Sequence, residues 1–130
     1  MENIEIAGSK GIYFVPSINF NKATGKLKIE GESYLEDTRA FYLPLIKWVE
    51  NYTRESKNPV VLDIDLSYYN TSSSKHILEI LYILKDFQNS GGQVSVNWYY
   101  AEDDEDAEEE IEDFQIESGI DINLIAKEKK

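Results

Sequence analysis

Apolar and polar residues alternate through the first third of the chain, with Ile4 and Ile6 in one short run, Ile18 and Phe20 in SINFN, and Leu27 and Ile29 in KLKIE. A period of two puts successive side chains on opposite faces, so each run predicts a half-buried strand. Between the second and third lies NKATG (residues 21–25), a polar segment whose Gly suits a positive φ, as a hairpin connection requires. An antiparallel hairpin is therefore expected to open the domain.

From Asp37 the period changes. Phe41, Leu45, Trp48, Val49 and Tyr52 recur at helical steps and share one face, with Asp37 or Thr38 as the candidate cap. Pro44 lies inside this pattern and lacks an N–H, so it must either kink the helix or mark the first turn of its main part. Residues 60–66 then read VVLDIDL, apolar on both parities, which predicts a central strand covered on both faces, interrupted by Asp63 and Asp65. A second helical stripe follows (Ile77, Leu78, Ile80, Leu81, Leu84, Phe87) and ends at Gly91-Gly92, a C-cap signal. Val94, Val96 and Trp98 alternate as another strand. After an acidic stretch, an apolar run over 120–125 predicts a last one. Three strands followed by helix, strand, helix, strand, an acidic helix or loop and a strand specify an α/β fold. Its mixed sheet combines parallel crossovers with the opening antiparallel hairpin.

Composition narrows the function. One domain over residues 1–130 uses all the material, and 42% hydrophobic residues suffice for one core. There is no Cys, which removes disulfides and thiolate metal sites and favours a reducing compartment. No apolar run approaches the ~18 residues of a membrane span, and the N-terminus has no basic segment leading into an apolar one, so a soluble cytoplasmic protein is expected. The net charge of −12 repels nucleic acid and anionic lipid. Ten of those charges sit in the twelve positions 102–113, which read as a solvated surface helix or loop; the D-x-D-x-D-G spacing of a calcium loop is absent.

Candidate chemistry concentrates in DIDLSYYNTSSSK (63–75), where a strand gives way to a helix through four consecutive hydroxyl residues, Thr71, Ser72, Ser73 and Ser74. A helix start presents unpaired N–H donors and a partial positive charge, a fitting place for a phosphate on a local hydroxyl. The plain alternative is that Thr71 or Ser72 caps the helix and the others are solvated. On residue chemistry alone the four hydroxyls are equivalent. Asp63 and Asp65 form a D-x-D pair of the kind magnesium-dependent phosphatases use, though the further Lys and acidic ligands of such a site are not evident. They read equally as carboxylates at the edge of the core. His76, the single His, reads as a surface or interface residue in the first turn of the second helix. Tyr68 and Tyr69, with Trp98, Tyr99 and Tyr100, gather aromatics near two adjacent strand ends as core or partner anchors.

Three long blocks in order, GESYLEDTRAFYLPLIKWVENY, VVLDIDLSYYNTSSSKHILEILYIL and QVSVNWYYAEDDED, resemble the SiaC family of biofilm-regulation phosphoproteins. The strand, hydroxyl loop and helix also resemble STAS-type anti-sigma-factor antagonists. In those proteins an Asp precedes the switch hydroxyl, whereas here Asn70 precedes Thr71. The SiaC resemblance implies a STAS-like, non-enzymatic partner-switching protein without cofactor or metal. It implies phosphorylation of Thr71 by a Ser/Thr kinase and dephosphorylation by a metal-dependent Ser/Thr phosphatase. Asn70, Ser72, Ser73, Ser74, Lys75, Tyr68 and Tyr69 would flank the docking patch. It further implies that the unphosphorylated form binds and activates a diguanylate cyclase, raising cyclic di-GMP. An anti-sigma-antagonist-type binding module and an Asp63/Asp65 phosphatase are the alternatives.

Overall fold

A computed structural model describes residues 1–128. Its strands are β1 (Ile4–Ile6), β2 (Ser9–Lys10), β3 (Phe14–Val15), β4 (Ser17–Asn21), β5 (Lys26–Ser33), β6 (Val60–Tyr69), β7 (Val94–Ala101) and β8 (Ile122–Lys127). Its helices are α1 (Thr38–Glu55), α2 (Thr71–Asn89) and α3 (Ala107–Ser118). Six strands form one sheet in the order β1-β4-β5-β6-β7-β8. β4 runs antiparallel to both β1 and β5, while β5, β6, β7 and β8 are parallel, with β6, β7 and β8 each reached through one helix. The mixed α/β sheet is as the alternation predicts, and Gly25 closes the β4–β5 hairpin at φ 72°. The two-residue strands β2 and β3 form a small separate hairpin that no period in so short a stretch could announce.

The core lies between one face of the sheet and the helices. Phe20, Ile29, Leu62, Ile64 and Trp98 from the strands meet Leu45, Val49, Ile77, Leu81 and Ile111 from the helices. The expectation that β6 is covered on both faces is not met. Val60, Leu62, Ile64 and Leu66 are buried, whereas Val61, Asp63 and Asp65 look out from an open face. A single apolar residue of the other parity, Val61, makes the segment look uniformly hydrophobic. The open face is kept polar by a row across five strands, Asn19, Lys28, Asp63, Asn97 and Asn123, each opposite the next in register. Asn97 donates to Asp63 at 2.9 Å and Asn123 to Asn97 at 2.9 Å.

Both main helices have their ends defined by local chemistry. Asp37 caps α1, its carboxylate accepting from the Ala40 N–H at 3.1 Å. Pro44 lies within α1 on its exposed side, past the first turn, and the helix continues through it. At the end of α2, Gly91 at φ 99° allows the Gly91 N–H to reach the Gln88 carbonyl and the Gly92 N–H to reach that of Phe87. This paired bond pattern satisfies carbonyls that a helix end leaves free. Gly119, at φ 76°, ends α3, and Ile120 and Asp121 link it to the last strand, which therefore begins at Ile122 and not at the start of the apolar run. No helix among the described residues is long and apolar enough to cross a membrane.

Candidate docking site at the start of the second helix

β6 carries its polypeptide to the site with a change of phase. Leu66 lies opposite Gly31 and Tyr68 opposite Glu32, so Ser67 is an extra residue, a β-bulge. Before it, even-numbered residues face the core. After it Tyr69 does, and Tyr68 points to the open face, 49% exposed. Tyr69 packs against Trp98 and Phe114, each at a ring-centroid distance of 5.9 Å. Its hydroxyl donates to Glu110 of α3 at 2.9 Å. Burial and this carboxylate together raise the Tyr69 phenol far above its ordinary pKa.

Asn70, not Thr71 or Ser72, is the cap of α2. Its backbone is extended (φ −86°, ψ 174°) and its side-chain oxygen accepts from the Ser73 N–H at 2.9 Å. The cap leaves the four hydroxyls in different states. Ser73 is fully buried, with its Oγ 2.8 Å from that of Ser33 and donating to the Ser33 carbonyl at 3.1 Å. Ser33 Oγ in turn lies 2.6 Å from the Tyr42 hydroxyl, so a hydroxyl relay joins β5, α1 and α2 inside the core. Ser74 is half-buried and donates to the Thr71 carbonyl at 2.7 Å. Thr71, Ser72 and Lys75 are exposed.

His76 corrects the surface reading. It lies in the second turn of α2, only 9% exposed, stacked on Tyr42 with ring centroids 5.6 Å apart, and its Nδ1 is 2.8 Å from the Ser72 carbonyl. A histidine one turn into a helix can fold back on that helix and pack its ring in the core, which its sequence position alone does not reveal.

A groove of about 470 Å³ runs between α2 and α3. Asn70, Thr71, Ser74 and Leu78 line one wall; Glu110, Asp113, Phe114 and Glu117 of α3 line the other, and Tyr69 closes one end. Ser72, Lys75 and Tyr68 fall outside it and Ser73 lies beneath it. The acidic stretch thus supplies a wall of the site, a role not read from its composition. Three tyrosines from three elements fasten it: Tyr69 to Glu110, Tyr82 to Glu117 at 3.1 Å and Tyr100 to Glu108 at 2.7 Å. Tyrosines paired with acids of a later segment leave no periodic trace, so these contacts were beyond sequence reading.

Asp63 and Asp65 lie on the open face of the sheet, away from the groove. Asp63 accepts from Asn97, and Asp65 is ion-paired with Lys127 at 2.7 Å, so neither is arranged as a nucleophile beside an acid. Among the described residues no three His, Asp or Glu side chains converge to hold a metal.

A family model for the SiaC family of regulatory phosphoproteins matches residues 7–127. An uncharacterised protein of Pseudomonas aeruginosa (strain UCBPP-PA14) is 32% identical over 115 residues, spanning 88% of this chain and 89% of its own. Apo-SiaC of Pseudomonas aeruginosa superposes with a TM-score of 0.86 at 30% identity, over 97% of this chain and all of that one. A chain from the crystal structure of the Pseudomonas aeruginosa diguanylate cyclase SiaD in complex with its activator SiaC superposes with a TM-score of 0.85. It is also 30% identical, over 94% of this chain and all of that one.

Proposed function

The chain belongs to the SiaC family of regulatory phosphoproteins, and from that premise we propose that it is a phosphorylation-controlled activator of a diguanylate cyclase, with Thr71 as the modified residue. The observation that supports Thr71 is the sorting of the hydroxyls. Ser73 is sealed in the core, Ser74 is spent on the Thr71 carbonyl, and Ser72 points away from the groove that Thr71 lines. Thr71 is also the first residue of α2, where helix N–H groups and the helix dipole favour an added anion by about 0.3–1 kcal/mol.

In this reading the unmodified groove and the adjoining faces of α2 and α3 dock the cyclase and hold it in its active form, raising cyclic di-GMP. A Ser/Thr kinase adds the phosphate and a metal-dependent Ser/Thr phosphatase removes it, both working in the cytoplasm. The chain itself turns over no substrate; its output is which partner it holds. Phosphorylation adds about −1.5 to −2 charges and three acceptor oxygens, enough to change a docking preference without refolding the domain.

The test pairs mass spectrometry of the protein from its native cells with reconstitution on a purified diguanylate cyclase. One phosphate on Thr71, a Thr71→Ala chain that still stimulates the cyclase, and a phosphothreonine-71 chain that does not are the expected results. Equal stimulation by both forms would sink the switch.

A further inference from the structure

The groove beside Thr71 has an acidic far wall, Glu110, Asp113 and Glu117, and no Lys, Arg or His is among the residues that line it. A phosphate on Thr71 therefore faces carboxylates across a groove whose lining holds no cation, with Lys75, one turn further along α2, exposed outside it. Two of those carboxylates, Glu110 and Glu117, also hold α3 in place by accepting from Tyr69 and Tyr82. Besides these bonds, that of Tyr100 to Glu108 and that of the Ile122 N–H to Gln115, α3 is held through few fully buried side chains, chiefly Ile111 with the half-buried Phe114. The charge of the modification thus faces three carboxylates, two of which are also tethers of the helix.

We infer that Glu110, Asp113 and Glu117 transduce the modification: phosphate on Thr71 repels the α3 wall and loosens α3 from α2, dismantling the groove from the side opposite the modified residue. This rests on Thr71 as the modified residue and assigns the acidic segment its part in the switch. Like charges facing across an aqueous groove repel less than buried ones, but about two added charges act on three carboxylates at once, and their effect is reduced by salt. The helix dipole at the start of α2 favours the phosphate and anchors it, so α3 is the element that yields.

The test uses the full chain with phosphothreonine installed at position 71 during synthesis, so that it stands whether or not a cellular kinase uses that residue. Backbone hydrogen exchange over α3 is compared with that of the unmodified chain in low and in high salt. The expected result is an acceleration of about tenfold confined to α3, shrinking towards none in high salt. In a second chain carrying Glu110→Gln, Asp113→Asn and Glu117→Gln, the oxygens that accept from Tyr69 and Tyr82 are retained and the charge is gone. There the phosphate should leave α3 exchange unchanged. Equal α3 exchange with and without phosphate, or the same acceleration in the neutralised chain, overturns the inference. Absence of phosphate on Thr71 in cells would instead overturn the proposed function.

Discussion

Ser33 spends its hydroxyl entirely inside the protein, and through it the start of α2 is fixed to β5 and α1. Replacing Ser33 with Ala takes away the 2.6 Å partner of the buried Tyr42 hydroxyl, which should cost about 1–3 kcal/mol. Tyr42→Phe removes the other end and leaves Ser33 and Ser73 bonded to each other, so its cost should be smaller, about 0.5–1.5 kcal/mol. Urea unfolding of the two variants checks the order. The phenols of Tyr42 and Tyr69 are both raised above the ordinary value, chiefly by burial. Their neutral forms are the stabilising ones, so the contribution is complete below the unfolded tyrosine pKa of about 10 and is lost as pH rises beyond it. Unfolding titrations between pH 8 and 11 should show stability falling on the alkaline side, and less steeply in Tyr69→Phe. At this scale the sequence limits are plain. Thr71 to Ser74 are four similar side chains in a row, and only the position of Ser33, forty residues away from Ser73, distinguishes the buried one.

The elements themselves were largely legible. Period two located β4, β5 and β7, the helical stripes located α1 and α2, and Asp37 and the Gly91-Gly92 pair marked two of their ends, because each of these signals is local. The misreadings arose where a distant segment decides: β6 has one covered face, and α2 takes Asn70 as its cap because the strand delivers that residue beside Ser33, whose carbonyl accepts the Asn70 N–H at 3.3 Å. An Asn70→Ala change should lower stability by about 1 kcal/mol through loss of the bond to the Ser73 N–H, while Asn70→Asp keeps an acceptor there and should cost much less. Thermal melts of the two variants, with exchange at the first turn of α2, would separate loss of the cap from general damage.

Across the whole molecule, charge and apolar surface are segregated. The helices take one face of the sheet, α3 and the turn before it take most of the net negative charge, and the other face of the sheet is left to water under its row of amides and charges. That row is what lets a six-stranded sheet stay uncovered on one side, since a large apolar patch there would seek a second surface. Converting Asn97 and Asn123 together to Val joins Val61 and Ile125 into such a patch. The variant should fold yet self-associate, detected as a concentration-dependent rise in sedimentation coefficient that the parent chain does not show.

Ser67 acts on β6 as an inserted letter acts on a reading frame. Everything before it is read with even-numbered residues inward, and everything after it one step out of phase. The strand can therefore present aspartates to water along its length and still hand the core a tyrosine at its tip. Deleting that one residue would remove the bulge and leave Tyr69 facing inward opposite Ser33, whereas inserting one more in regular pairing would turn Tyr69 outward, lose its hold on Glu110 and deliver Asn70 turned away from the helix it caps. One added residue in an exposed strand segment would thus disable the site more thoroughly than most substitutions within it, while loss of Ser67 would leave the facing of Tyr69 unchanged.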